Sequence, residues 1–151
     1  MRYFEDLAEG DSFDLGEHTL TREEVVSFAA EWDPQPFHLE ASGAEGSVFD
    51  GLVASGLHTL SVGAKLLVEG FVHDVANMGG RGMSDIRFHR PVEPGETLSG
   101  RVTVAEKGEP TRPDRGDVAF ELTLYGAQGD PVLSTTFRNI VRRRGADESS
   151  E

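Results

Sequence analysis

The chain has 151 residues, which fits one domain, and 37% of them are hydrophobic, enough for one core but not for two. Its formal net charge is −13, and so acidic a surface repels phosphate backbones, which argues against nucleic acid as a partner. The absence of cysteine excludes disulfides, thiolate catalysis and cysteine-ligated zinc.

The first residues, Met-Arg-Tyr-Phe-Glu-Asp, carry no apolar core of the kind a secretory signal needs. A cytoplasmic protein is the expectation. Residues 4–7 hold at most one helical turn, and residues 12–20 alternate imperfectly and read as a strand. Thr21 is a good helix N-cap, and Glu24 three residues on completes a capping box. Val25, Phe28 and Ala29 lie on one face at helical spacing. Pro34 and Pro36 end this helix, because each removes an amide donor and pushes its predecessor away from α geometry.

Residues 39–50 read as loop. The next helix is expected from about Gly51 to Glu69, with Val53, Leu57, Leu60, Ala64, Leu67 and Val68 recurring at three- and four-residue steps. Ser55, His58, Ser61, Lys65 and Glu69 interrupt the apolar run, so it predicts a buried helix and no membrane span. A helix apolar or small nearly all round is one enclosed by other structure. Glycine inside a helix costs ~1 kcal/mol relative to alanine. Gly56 and Gly63 therefore point to close approach by a sheet or another backbone.

After Gly70, residues 71–82 end in Gly79-Gly80-Arg81-Gly82, a turn or a sheet edge. Strands are predicted at about 83–90, 97–107, 117–126 and 131–142, joined by turn-rich segments. Residues 108–116 form a protruding hairpin loop, and the tail from about Gly145 to Glu151 is polar, acidic and expected to be disordered. Helices followed by an unbroken run of strands indicate α+β with an antiparallel sheet, here one curled around the long helix.

Two stretches carry the chemistry. Trp32-Asp33-Pro34-Gln35-Pro36-Phe37-His38 places an acid and an imidazole five residues apart across two prolines. Asp50-Gly51-Leu52-Val53-Ala54-Ser55-Gly56 leads into the apolar helix. On residue types alone, an aspartate ahead of proline is a helix-ending turn former, Asp50 is an N-cap, and Ser55 is either a packing residue or a hydrogen-bonding one.

These stretches resemble the MaoC-like dehydratases, the (R)-specific enoyl-CoA hydratases of the hot-dog fold. The family signature runs Asp, any residue, Asn, Pro, an aliphatic residue, His; here it stands as Asp33-Pro34-Gln35-Pro36-Phe37-His38, with Gln35 and Phe37 as departures. Phe49-Asp50-Gly51-Leu52-Val53-Ala54-Ser55 resembles the next block, with Asp50 where histidine is common. Ile86-Arg87-Phe88-His89-Arg90-Pro91-Val92-Glu93-Pro94-Gly95-Glu96-Thr97-Leu98 resembles the strand and turn after the helix. The match runs from about residue 4 to 142.

The resemblance implies one hot-dog domain over residues 1–144, an antiparallel sheet wrapped around a long central helix. It implies hydration of a 2-enoyl-CoA to the (R)-3-hydroxyacyl-CoA, or the reverse dehydration, with an acyl-CoA thioester as substrate and no metal or cofactor. Asp33 and His38 become the pair that handles water, either of them as base. Gly51 is expected to supply oxyanion-stabilising amides at the helix start, with Ser55 supporting the pair one turn in. A homodimer or higher homo-oligomer is implied, with no membrane partner. A thioesterase on the same fold, or an acyl-binding partner subunit without activity, are the rivals. His58, His73 and His89 are expected to be structural or surface residues, Asp85 and Arg87 to serve a subunit or sheet-surface role, and Arg142-Arg143-Arg144 to be a solvated strand end or, as the alternative, a site for CoA phosphates.

Overall fold

The computed structural model describes residues 1–49, 51–110 and 112–145. A 3-10 turn at Phe4–Asp6 precedes β1 (Ser12–Thr19). Helix α1 (Arg22–Trp32) starts where expected, with the Thr21 hydroxyl accepting from the Glu24 amide at 3.2 Å. The reciprocal half of the capping box is replaced: Glu24 Oε1 meets His18 Nε2 at 2.8 Å. The prolines end α1, but Pro36 also opens a four-residue helix, α2 (Pro36–Leu39), with proline in the first turn, where its missing N–H costs nothing.

The long helix α3 spans Gly56–Gly70, so the expected start at Gly51 is corrected by five residues. The chain before it is extended, because the Val53 amide bonds the Phe37 carbonyl and the Ala54 amide bonds the Val92 carbonyl. Ser55 is the N-cap of α3 rather than a residue one turn inside it. Nor is α3 enclosed nearly all round. His58, Thr59, Val62, Gly63, Leu66 and Leu67 are buried, whereas Leu57 is 52% and Val68 50% exposed.

After a 3-10 turn at Val72–Asp74, four strands follow: β2 (Asn77–Phe88), β3 (Thr97–Lys107), β4 (Arg115–Tyr125) and β5 (Pro131–Arg142). They form one antiparallel sheet with β1, in the order β1-β3-β4-β5-β2. The Gly79–Gly82 run belongs to β2, which is an edge strand, and its pairing with β5 shifts register three times. At the last shift Asp85 takes φ +54°, the left-handed region that a non-glycine residue rarely adopts.

Helix α3 lies across β1, β3 and β4, and the close approaches anticipated at its glycines are present. A Cβ at Gly63 would stand 2.9 Å from Leu122 Cδ2, and one at Gly56 would stand 2.9 Å from the Phe88 ring. The core divides in two. Val62 and Leu66 pack with Leu98, Leu122 and Leu133 in one cluster; Leu67 packs with Phe71, Phe120 and Val141 in a second. At the end of β5, Arg143 pairs with Glu5 at 3.0 Å and Arg144 pairs with Asp6, so these two arginines tie the last strand to the first turn. No helix among the described residues is long and apolar enough to cross a membrane. The expected tail lies outside the described residues beyond Gly145, as does Asp50.

Candidate active site

Asp33 caps the end of α1, its amide bonding the Ala29 carbonyl at 2.8 Å, and its backbone leaves the helix with φ −158°. The two prolines then turn the chain so that α2 carries His38 back towards it. His38 Nε2 lies 3.4 Å from Asp33 Oδ2. Ser55, arriving from the start of α3, donates its hydroxyl hydrogen to the same Oδ2 at 2.7 Å. Three of the four residues singled out from the sequence therefore meet at one point.

Each partner is fixed from behind. The His38 Nδ1 atom lies 2.8 Å from the Val53 carbonyl. A carbonyl only accepts, so Nδ1 carries its hydrogen, and in the neutral ring Nε2 presents a lone pair towards Asp33. The Gln35 side-chain amide donates to Asp33 Oδ1 at 2.7 Å. Gln35, one of the two departures from the family signature, thus holds the carboxylate. Sequence reasoning missed this role, although a side-chain donor two residues after an aspartate was the signal for it. The Ser55 hydroxyl also accepts from the Leu57 amide at 3.2 Å, which fixes both ends of the bond.

His38 is 5% exposed and Ser55 fully buried, while the Asp33 side chain keeps 20% of its surface in contact with solvent. The Ser55 hydrogen bond lowers the Asp33 pKa below the ordinary aspartate value. Partial burial works in the opposite direction, and the Gln35 amide lowers it further, as a proton on the neighbouring His38 ring does when present.

A cavity of about 510 Å³ opens beside the pair. Asp33, His38, Gly56 and Thr59 line it on one side, with Phe37, Phe49 and Phe88 among its apolar walls. The Phe37 ring meets His38 edge-on at 4.5 Å and Phe49 at 5.2 Å. The first amide of a helix has no intrahelical acceptor, and the Gly56 N–H has no partner among the described residues. Gly51 is neither at the helix start nor on the cavity wall; the first residue of α3, which does line the cavity, is Gly56.

His89 also lines the cavity and contacts Ser134 Oγ at 2.9 Å. Arg90 is bound by Glu96 and Asp130, at 2.8 and 2.5 Å. His58 is buried against Phe28, with ring centroids 4.6 Å apart, and takes no part in the cavity lining. Among the described residues no three His, Asp or Glu side chains cluster closely enough to hold a metal ion.

The model of the MaoC like domain matches residues 6–124. The (R)-specific enoyl-CoA hydratase of Rhodospirillum rubrum is 31% identical over 151 residues, covering 96% of this chain and 95% of that one. An uncharacterized Bacillus subtilis protein, YdeM, is 30% identical and covers 89% of this chain and 94% of its own length. The crystal structure of the MaoC-like dehydratase from Rhodospirillum rubrum superposes with a TM-score of 0.88 at 36% identity, covering 95% of this chain and 99% of that one. The (R)-hydratase from A. caviae, at 22% identity and a TM-score of 0.68, shares the hot-dog fold. With a family match over residues 6–124 and a fold shared with a MaoC-like dehydratase at 36% identity, the chain belongs to the MaoC-like dehydratase family.

Proposed function

We propose that this protein adds water across the double bond of a 2-enoyl-CoA, giving the 3-hydroxyacyl-CoA, or runs the reverse dehydration. The observation that carries the reading is that Asp33 and His38, with Ser55 bonded behind Asp33, line the same cavity as Gly56, whose amide is unpaired among the described residues. The two acceptors, Asp33 Oδ2 and His38 Nε2, stand 3.4 Å apart, and one water donating a hydrogen to each satisfies both. That water is then aimed and polarised. As its oxygen bonds C3, the Asp33–His38 pair takes one proton from it and returns one to C2, so the pair ends in its starting protonation state.

Between these events the thioester oxygen carries enolate charge. The Gly56 N–H, at the positive end of α3, is the donor for it, in place of Gly51. Losing one such donor typically costs about 3 kcal/mol of barrier. Ser55 keeps Asp33 ionised and oriented, and Gln35 holds its second oxygen. The (R) hand of the product is taken from the Rhodospirillum rubrum relative. The working unit is proposed to be a homodimer formed through β2, an edge strand on which Met78, Met83 and Ile86 are all more than a third exposed.

Crotonyl-CoA tests the reading. Hydration removes the enoyl absorbance and releases no thiol, and Asp33→Asn and His38→Ala each abolish it while leaving the far-UV spectrum unchanged. Free CoA would point to a thioesterase, and turnover retained in either variant would refute the assignment of the pair.

A further inference from the structure

We propose that Phe88 is a positioning residue for this reaction, its ring shielding the Gly56 amide from bulk water so that the N–H is reserved for the thioester oxygen. The proposal rests on the hydratase reading above. Three observations lead to it.

The first is the fit between ring and helix. A Cβ on Gly56 would lie 2.9, 3.0 and 3.3 Å from Phe88 Cζ, Cε1 and Cε2, all atoms of the ring tip. The tip of the ring therefore touches the first residue of α3 where any larger residue would keep it away. Both residues line the cavity that holds Asp33 and His38.

The second is the backbone that aims the ring. Ser84 pairs with Thr136 and Arg87 with Ser134, so three steps along β2 match two along β5. One extra residue exchanges the faces of everything after it. Phe88 consequently pairs with Leu133, a fully buried core residue, and shares its side of the sheet. Without the bulge Phe88 would fall with Ser84 and Thr136 on the opposite face. The bulge is held with Asp85 at φ +54°, a costly conformation for a non-glycine residue.

The third is exposure. Phe88 is 53% exposed in the single chain despite this inward aim, so the ring stands at the mouth of the cavity rather than within the core. A large apolar side chain in that place gains little from core burial. What it does is lower the local dielectric beside a dipole aimed at developing charge, where such a donor is strongest.

The test combines kinetics with amide exchange. In Phe88→Ala, kcat on crotonyl-CoA is expected to fall about 10–100-fold, less than the roughly 10²–10³ for loss of an entire oxyanion donor, with KM changing less than about threefold. Phe88→Leu, which keeps an apolar wall, restores most of kcat. Gly56→Ala is expected to lose activity by displacing the ring, so Gly56→Ala/Phe88→Ala should be no worse than Phe88→Ala alone. By NMR, water exchange at the Gly56 amide is expected to speed up at least about tenfold in Phe88→Ala, following the opening of a shielded amide to solvent. That readout does not depend on turnover, so it decides the shielding even if the wild-type protein proves inactive on enoyl-CoA. Unchanged exchange, multiplicative losses in the double variant, or a change in KM alone would overturn the proposal.

Discussion

Replacing Ser55 by alanine and by glycine separates two jobs done by one hydroxyl. It accepts from the Leu57 amide at 3.2 Å, capping α3, and donates to Asp33 Oδ2 at 2.7 Å. Losing an N-cap side chain to alanine costs about 1 kcal/mol, and to glycine only a few tenths. A hydrogen bond to a charged acceptor is worth about 1.5–3 kcal/mol. The Asp33 side chain is 20% exposed, so water partly replaces the lost donor and the lower figure applies. Ser55→Ala is thus expected to lose about 2.5 kcal/mol and Ser55→Gly about 2 kcal/mol. At this size, thermal midpoints should fall by roughly 5–10 °C and 4–8 °C.

The pH dependence is the more decisive measurement. Ser55 depresses the Asp33 pKa, and a depressed carboxylate contributes stability that is present above its unfolded value and lost as pH falls through its folded value. The gap between wild type and either variant should therefore narrow in acid, because the part due to Asp33 disappears while the capping part remains. In parallel, the acid limb of kcat/KM should move to higher pH in both variants. Thermal unfolding at neutral pH and near pH 3, with a pH–rate profile on crotonyl-CoA, reads both. A gap that stays constant with pH, or an acid limb that does not move, would refute the role given to Ser55.

Three further substitutions test the packing. Gly116→Ala drives a Cβ to within 2.5–2.8 Å of the buried Phe4 ring, and should cost about 1–3 kcal/mol in urea unfolding. Gly63→Ala meets only the side-chain ends of Leu122 and Leu124 and gains about 1 kcal/mol of helix propensity, so it should stay within about 1 kcal/mol of wild type. Phe120→Ala removes a fully buried ring that packs edge-on against Phe71, and should lose about 3–5 kcal/mol. His58 tests electrostatics. Burial lowers its pKa, Glu24 opposes this and His18 adds to it, so the unfolded chain binds a proton that the folded one resists. Stability should decline as pH falls below about 6.5, with a slope of at most about 1.4 kcal/mol per unit. His58→Gln should flatten that decline, which unfolding at pH 7.5 and 5.5 will show.

Local chemistry made much of the fold legible before any coordinates. Thr21 starts α1, the prolines stop it, and alternation marks β3 and β5 to the residue. The spacing from Asp33 to His38 also survives intact, because a proline-stiffened bend is determined within a few residues. The start of α3 was not legible. Residues 51–55 are small and apolar, compatible with a helix, but two of their amides are spent on Phe37 and Val92, partners distant in sequence. The first amide of α3 therefore belongs to Gly56 and not to Gly51. The exposed face of α3 escaped for a similar reason, since periodicity shows that a stripe exists but not how far the sheet reaches around it. The bulge at Asp85 left no mark that sequence patterning detects, and with it went the inward turn of Phe88.

Arg90 sits on the cavity wall, yet its guanidinium is spoken for. One edge bonds Glu96 and the other Asp130, so its proton is held more firmly than in an ordinary arginine, and a third contact reaches the Pro91 carbonyl. The β2–β3 and β4–β5 connections are laced together by this one side chain. Whatever enters the cleft meets, at that wall, a cation already neutralised by its neighbours. On that side the cleft offers contour rather than ionic attraction, and a carboxylate-bearing ligand gains no anchor there.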